Sequence, residues 1–181
     1  MVLDVIPAAD GRAGFVATPI VEKIFERFMS AEARLAELKL ELPPAPKPVG
    51  LYKPVVIAGN WAYLSGHGPL KADKSLITGR VGADLDLKAA QAAAKQTGLA
   101  ILSTLRDALG SLDRVKRIVK TFGLVNCTAE FHQQPAVLNG FSELMAEVFG
   151  PDAGVGARSA VGAVALPGNM AVEVEAIFEI E

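Results

Sequence analysis

The sequence has one cysteine, Cys127, and two histidines, His67 and His132, that stand far apart. A lone cysteine excludes an internal disulfide, and no Cys/His spacing of the zinc-binding kind exists, so no metal is expected. Cations are not in excess: 18 Lys and Arg stand against 20 Asp and Glu, a net charge of −2. Nucleic-acid binding rests on clustered Lys and Arg, and the chain carries no strongly basic block, so no nucleic-acid partner is expected. No apolar run reaches the ~20 residues that cross a bilayer, which sets aside a membrane role. Residues 1–7 lack the basic flank and continuous apolar core of a signal peptide. A reducing, cytoplasmic setting is the expectation that remains. Gly-x-Gly-x-x-Gly and Gly-x-x-x-x-Gly-Lys are also missing, so no loop is expected to cradle a phosphate.

What is present suits a packed globule, with 51% hydrophobic and 21% charged residues. The length fits one domain with an appendage, and the apolar surplus points to a buried subunit interface. Thr18-Pro19 reads as an N-cap and first helical position, with Ile20, Val21, Ile24, Phe25 and Phe28 as an apolar stripe behind it. Ser30 is placed to cap a second helical piece carrying Leu35 and Leu38. Leu42-Pro43-Pro44-Ala45-Pro46-Lys47-Pro48 is too rich in proline for a helix or a central strand. It divides a helical extension with its connector, residues 1–48, from a main domain over 49–181.

In the main domain, residues 55–58 and 61–65 flank Gly59-Asn60 and read as a hairpin. Ser65-Gly66-His67-Gly68-Pro69 ends it, either as plain turn chemistry or as a place where backbone approaches a ligand closely. Asp86 is a good N-cap and Gly110 a good stop for a long helix over 87–109. Residues 115–124 read as a strand and residues 134–149 as a second long helix ended by Gly150-Pro151. The order β-β-α-β-α-β-β predicts an α+β fold, a sheet with both long helices on one face. The bare opposite face would be solvated or covered by oligomerisation.

The last stretch holds the chemistry. Ala157 to Val164 alternates around Arg158, and Leu166-Pro167-Gly168-Asn169 forms a turn. A second strand then sets Val172, Val174, Ala176, Phe178 and Ile180 against Glu173, Glu175, Glu179 and Glu181. A hairpin of these two strands would bring the Arg158 guanidinium towards one of the carboxylates. Pattern alone favours a surface ion pair there, which contributes only ~0–1 kcal/mol.

Ala157-Arg158-Ser159-Ala160-Val161, Leu166-Pro167 and Val172-Glu173-Val174-Glu175-Ala176-Ile177, supported by Gly50-x-Tyr52, Leu64-Ser65-Gly66 and Asn139, resemble the reactive intermediate deaminase (YjgF-type) family. The resemblance covers residues 49–181 and is to a longer, less characterised branch. It implies a chorismate-mutase-like fold, a homotrimer with sites between subunits, and cofactor-independent hydrolysis of 2-imino or enamine acids to 2-keto acids and ammonia. Carried onto this chain, Arg158 would clamp a substrate carboxylate and Glu173 would position the attacking water. Tyr52 would lie over the pocket, with Ser65, Gly66 and Asn139 supplying wall and polar contacts. The sequence departs from the family pattern at Ala160, where many members have cysteine, and at His67, which replaces a common glutamine. Those departures motivate an alternative, a small-carboxylate-binding trimer without catalysis. An endoribonuclease or translation inhibitor is a third and weaker reading, since no basic-aromatic interleaving and no histidine pair for acid–base cleavage is visible.

Overall fold

The computed structural model describes residues 30–181; the helix expected over residues 20–28 lies outside them. A compact unit runs from Ala31 to Glu181. It opens with helix α1 (Ala31–Glu37), which buries Leu35, while Leu38 falls beyond the helix and stays exposed. Glu32 of α1 accepts hydrogen bonds from Arg106 and from the Leu112 backbone N–H, which holds its carboxyl below the usual range. The proline-rich segment then runs extended, and the buried Pro43 carbonyl accepts a hydrogen bond from Ser103 Oγ at 2.7 Å.

Strands β1 (Val55–Ala58) and β2 (Trp61–His67) form the expected hairpin. Gly59, at φ 56°, supplies the left-handed backbone that this tight turn requires. Helix α2 (Leu87–Leu109) has the caps that its sequence announces. Asp86 Oδ1 accepts from the Ala89 N–H at 2.7 Å, and Gly110 closes the helix at φ 81°. Strand β3 (Val115–Asn126) follows, then a short helix α3 (Gln134–Val137) and α4 (Asn139–Ala153). The sequence led us to expect one helix ended by Gly150-Pro151; instead Gly150, at φ 85°, only kinks it, and a last turn continues to Ala153. Strands β4 (Ala157–Ala163) and β5 (Val172–Ile180) complete the element order.

The sheet order is β1-β2-β5-β3-β4. β5 runs antiparallel to both β2 and β3, while β4 lies parallel to β3 at the edge. The expected β4–β5 hairpin is therefore wrong. The turn at residues 166–169 exists, but β3 occupies the place between the two strands. Local turn chemistry signals a reversal of direction; it does not say which neighbour the returning strand will choose.

The helices pack on one face, as the element order predicts. Val172, Val174, Ala176, Phe178 and Ile180 of β5 are buried beneath α2 and α4, together with Ile101, Leu105, Phe141 and Leu144. Small residues set the spacing: Ala90, Ala93 and Ala94 are buried on α2, and a methyl group added to Gly140 of α4 would run into the Gln91 carbonyl of α2. The other face carries Val56, Tyr63, Ile177, Phe122, Leu124 and Val161 in adjoining register positions, with exposed Trp61 beside them. This face has no helix over it among the described residues.

Candidate active site in two halves

Arg158 stands on β4 opposite Thr121 of β3, which stands opposite the buried Ala176 of β5. Those three positions share the helix-facing side of the sheet, so the Arg158 side chain turns towards α4. Its Nη1 donates to Asn139 Oδ1 at 3.1 Å and to Ser142 Oγ at 2.9 Å, and its Nη2 donates to the Pro135 carbonyl at 3.2 Å. A guanidinium has five N–H donors. Three are engaged, which leaves Nε–H and one Nη2–H, the pair that forms the side-on fork matching a carboxylate. A hollow of about 310 Å³ lined by Thr121, Ser142, Gly156 and Arg158 lies beside this group.

Glu173 stands on β5 opposite Leu124, which stands opposite Val161. It alternates with the buried valines and so projects from the other face of the sheet. Arg158 and Glu173 thus lie on opposite faces, two strands apart, and one chain does not bring them together. Among the described residues, the cation that pairs with the acidic strand is Arg117 of β3, whose Nε is 3.1 Å from Glu179 Oε2. That contact corrects the expected approach of Arg158 to a carboxylate of its own chain.

Around Glu173 the sheet is irregular. Register shifts between Leu64 and His67, so two residues of β2, Ser65 and Gly66, occupy the space of one. A side chain at position 66 would overlap the Glu173 carboxylate, so the glycine there leaves room for the acid. Ser65 ties this bulge to the preceding segment: its N–H donates to the Pro54 carbonyl at 3.0 Å and its hydroxyl to the Lys53 carbonyl at 2.7 Å. Beyond it opens a cavity of about 690 Å³, lined by Tyr52, Ser65, Gly66, His67 and Glu173 with prolines 46, 48 and 54. Tyr52 is 46% exposed and forms part of this wall. Partial burial, and secondarily the like charge of Glu175, push the Glu173 carboxyl above its ordinary value.

His67 is not the loop residue that the glycines around it suggest. It ends β2 and is 3% exposed. Its Nδ1 lies 2.6 Å from the Ser65 carbonyl and its Nε2 2.8 Å from Thr104 Oγ1 of α2. A carbonyl can only accept, so Nδ1 carries the proton, Nε2 accepts, and the Thr104 hydroxyl donates. Burial holds the ring below its ordinary pKa and favours this neutral form. The imidazole thereby braces the bulge beside Glu173.

Of the residues singled out from sequence, Tyr52, Ser65, Gly66 and Glu173 gather at the large cavity, while Arg158 and Asn139 gather at the small one. Sequence reasoning missed Ser142, the Pro135 carbonyl and Thr104. Ser142 had a signal: it lies three residues after Asn139 and so on the same helix face. Thr104 had a fainter one, a hydroxyl set within the apolar stripe of α2. Among the described residues, no group of three or more His, Cys, Asp or Glu is placed to hold a metal ion. No helix among them is long and apolar enough to cross a membrane.

Comparison with known proteins adds relatives to this geometry. A family model described as YjgF/chorismate-mutase-like, candidate endoribonuclease, matches residues 32–179. Protein TCP17 of Trypanosoma cruzi is 41% identical over 148 residues, covering 82% of this chain and 92% of that one. The crystal structure of Atu1372 from Agrobacterium tumefaciens, a protein of unknown function, is 41% identical with a TM-score of 0.76, covering 83% of this chain and 94% of that one. A 2-iminobutanoate/2-iminopropanoate deaminase of the mite Dermatophagoides farinae is 29% identical over 143 residues, 78% of this chain and 95% of its own.

Proposed function

Because the chain belongs to the YjgF/chorismate-mutase-like family, we propose that it hydrolyses reactive 2-imino acids, or their enamine tautomers, to 2-keto acids and ammonia without a cofactor. The observation that carries this reading is the Glu173 carboxylate, raised in pKa by partial desolvation and set at a cavity beside Ser65, Gly66 and Tyr52. A carboxyl whose pKa is raised is a stronger base once ionised than an ordinary one, which suits it to taking and returning a proton. The Dermatophagoides farinae relative, named a 2-iminobutanoate/2-iminopropanoate deaminase, agrees with this chemistry.

In the proposed reaction a water lies between Glu173 and the imine carbon. Glu173 accepts a proton from the water as the water oxygen bonds to that carbon, and the C=N electron pair moves to nitrogen, which takes up the proton that Glu173 returns. The carbinolamine then collapses: Glu173 carries the hydroxyl proton to the nitrogen as the C=O forms, the C–N bond breaks and ammonia leaves. Water and imine are consumed, keto acid and ammonia are released, and the carboxylate is restored. Arg158 would hold the substrate carboxylate on its free Nε–H and Nη2–H fork, with Asn139 and Ser142 keeping the guanidinium in place.

Opposite faces of one sheet cannot serve one small substrate. We therefore place the complete site between copies of the chain, Arg158 from one and Glu173 from another, as in the homotrimers that the sequence resemblance implies. The sheet face that no helix covers among the described residues, where Tyr63, Phe122 and Ile177 stand beside Lys120 and Glu175, supports such an assembly. A second reading, carboxylate binding without catalysis, draws on Ala160 in the place of a common cysteine. The test is an assay in which an amino-acid oxidase generates imines and 2-keto acid appearance is followed. Glu173→Gln should lose about 10²–10⁴-fold of the acceleration. Wild-type rates equal to buffer, together with Arg158-dependent binding of 2-keto acids, would instead establish the second reading.

A further inference from the structure

The cavity beside Glu173 is larger than the smallest imino acids need, and its walls are mostly apolar. At about 690 Å³ it falls in the range that holds drug-sized ligands. Prolines 46 and 48 of the connector form one side, and Leu70, Leu76 and Met170 form another. Tyr52 adds an aromatic face. Flat proline rings, a phenol and a polarisable thioether are the partners an aromatic or branched apolar group packs against.

The geometry points to a substrate class: we infer that this protein prefers 2-imino acids with a bulky apolar side chain, above all an aromatic ring, over those derived from alanine. This rests on the deaminase reading above, because it assumes that the reacting carbon sits at Glu173. With the substrate carboxylate directed to Arg158 of another copy, the side chain is the part left to enter the cavity.

The connector gives the cavity its extra wall. Its position is fixed from beneath by α2, whose Ser103 hydroxyl holds the Pro43 carbonyl while the adjacent Thr104 holds His67 at the bulge. Two neighbouring hydroxyls of one helix thus hold the connector three residues before Pro46 and the bulge at His67. Lys47 and Lys74 also line the cavity, and both are exposed; an exposed lysine keeps its ammonium hydrated and presents its aliphatic stem to an apolar wall at little cost. The glutamate-derived imine below tests whether these two cations draw a second carboxylate instead.

The experiment compares imines generated in situ from alanine, phenylalanine and glutamate, each by a matching oxidase, and in parallel the binding of pyruvate, phenylpyruvate and 2-oxoglutarate to the unmodified protein. The expected result is a kcat/KM for the phenylalanine-derived imine at least about tenfold above the alanine-derived one, since each added carbon in an apolar pocket is worth roughly 10-fold or more. Phenylpyruvate should bind at least about tenfold more tightly than pyruvate on the same ground. Leu76→Trp, or the milder Leu76→Phe, fills the cavity and should shrink both ratios. Equal values for alanine and phenylalanine, or a preference for the glutamate-derived imine and 2-oxoglutarate, would overturn the inference while leaving the deaminase reading intact. Tight phenylpyruvate binding that Leu76→Trp weakens, with no imine turnover, would remove the deaminase reading and keep the assignment of the cavity. Neither binding nor turnover would overturn both.

Discussion

Arg158 and Glu173 are carried by the same sheet, yet their surroundings differ in kind. Arg158 is held by three hydrogen bonds from its own chain, all to residues 135–142. Glu173 is held by none that the described residues supply, and faces a glycine and a cavity instead. The first arrangement fixes a charge in one orientation and leaves a fork free, which is what binding a carboxylate requires. The second keeps a carboxyl partly desolvated and unpaired, which raises its pKa and is what proton transfer requires. An ion pair between them would have cancelled both properties. Placing them on opposite faces prevents that pairing inside one subunit.

The contrast can be broken by substitution, and the largest effect after loss of Glu173 should come from Arg158. Arg158→Ala should lower kcat/KM about 10²-fold and raise KM more than it lowers kcat, because a clamp acts in ground and transition states alike. If kcat alone fell, the division of labour would be wrong. Gly66→Ala should come next. The added methyl displaces a flexible carboxylate rather than backbone, so kcat should drop about tenfold, in the range of a misplaced general base, while Tm changes little. A protein that fails to fold would mean that the bulge, not the carboxylate, requires the glycine.

The smallest effect concerns stability and pH. Glu173 has a folded pKa above its ordinary one, so at intermediate pH the folded chain keeps a proton that the unfolded chain releases. Its contribution is fully favourable below the ordinary value and is lost as pH rises through the raised one. Glu173→Gln should therefore stabilise the protein at neutral pH by up to about 1 kcal/mol, and less in acid. His67 behaves in the opposite sense. Its folded pKa lies below the ordinary histidine value, so the stability it confers is present above that value and disappears as pH falls through the depressed one. Thermal melts of Glu173→Gln and His67→Gln across pH would separate the two.

Much of the fold was legible because its signals are local. The caps Asp86 and Gly110, the Gly59-Asn60 turn and the alternation along β5 each act within a few residues. The order of elements then limited the layers. What the sequence could not convey was strand order: nothing in residues 157–180 states that β3 will insert between β4 and β5, because that choice depends on pairing between strands far apart in the chain. The site divided in the same way. Arg158, Glu173, Tyr52, Ser65, Gly66 and Asn139 stood out as individual residues through the family resemblance. Their partition into two groups followed only from the register that sets Thr121 opposite Arg158 and Leu124 opposite Glu173. The burial of His67 is hidden from the sequence for a related reason. Flanking glycines suggest a loop, and the buried Thr104 that fixes the ring is 37 residues away.

The central claim is that neither half works with its own chain's other half. Arg158→Ala and Glu173→Gln proteins, each about 10²-fold or more impaired at substrate well below KM, should be unfolded together, refolded as a mixture and assayed for imine hydrolysis at that low substrate level. Random assembly into a cyclic oligomer puts an intact Arg158 next to an intact Glu173 in about a quarter of the shared sites, so activity should return to roughly that fraction of wild type. A mixture as inactive as its components, with assembly verified by mass, would contradict the account.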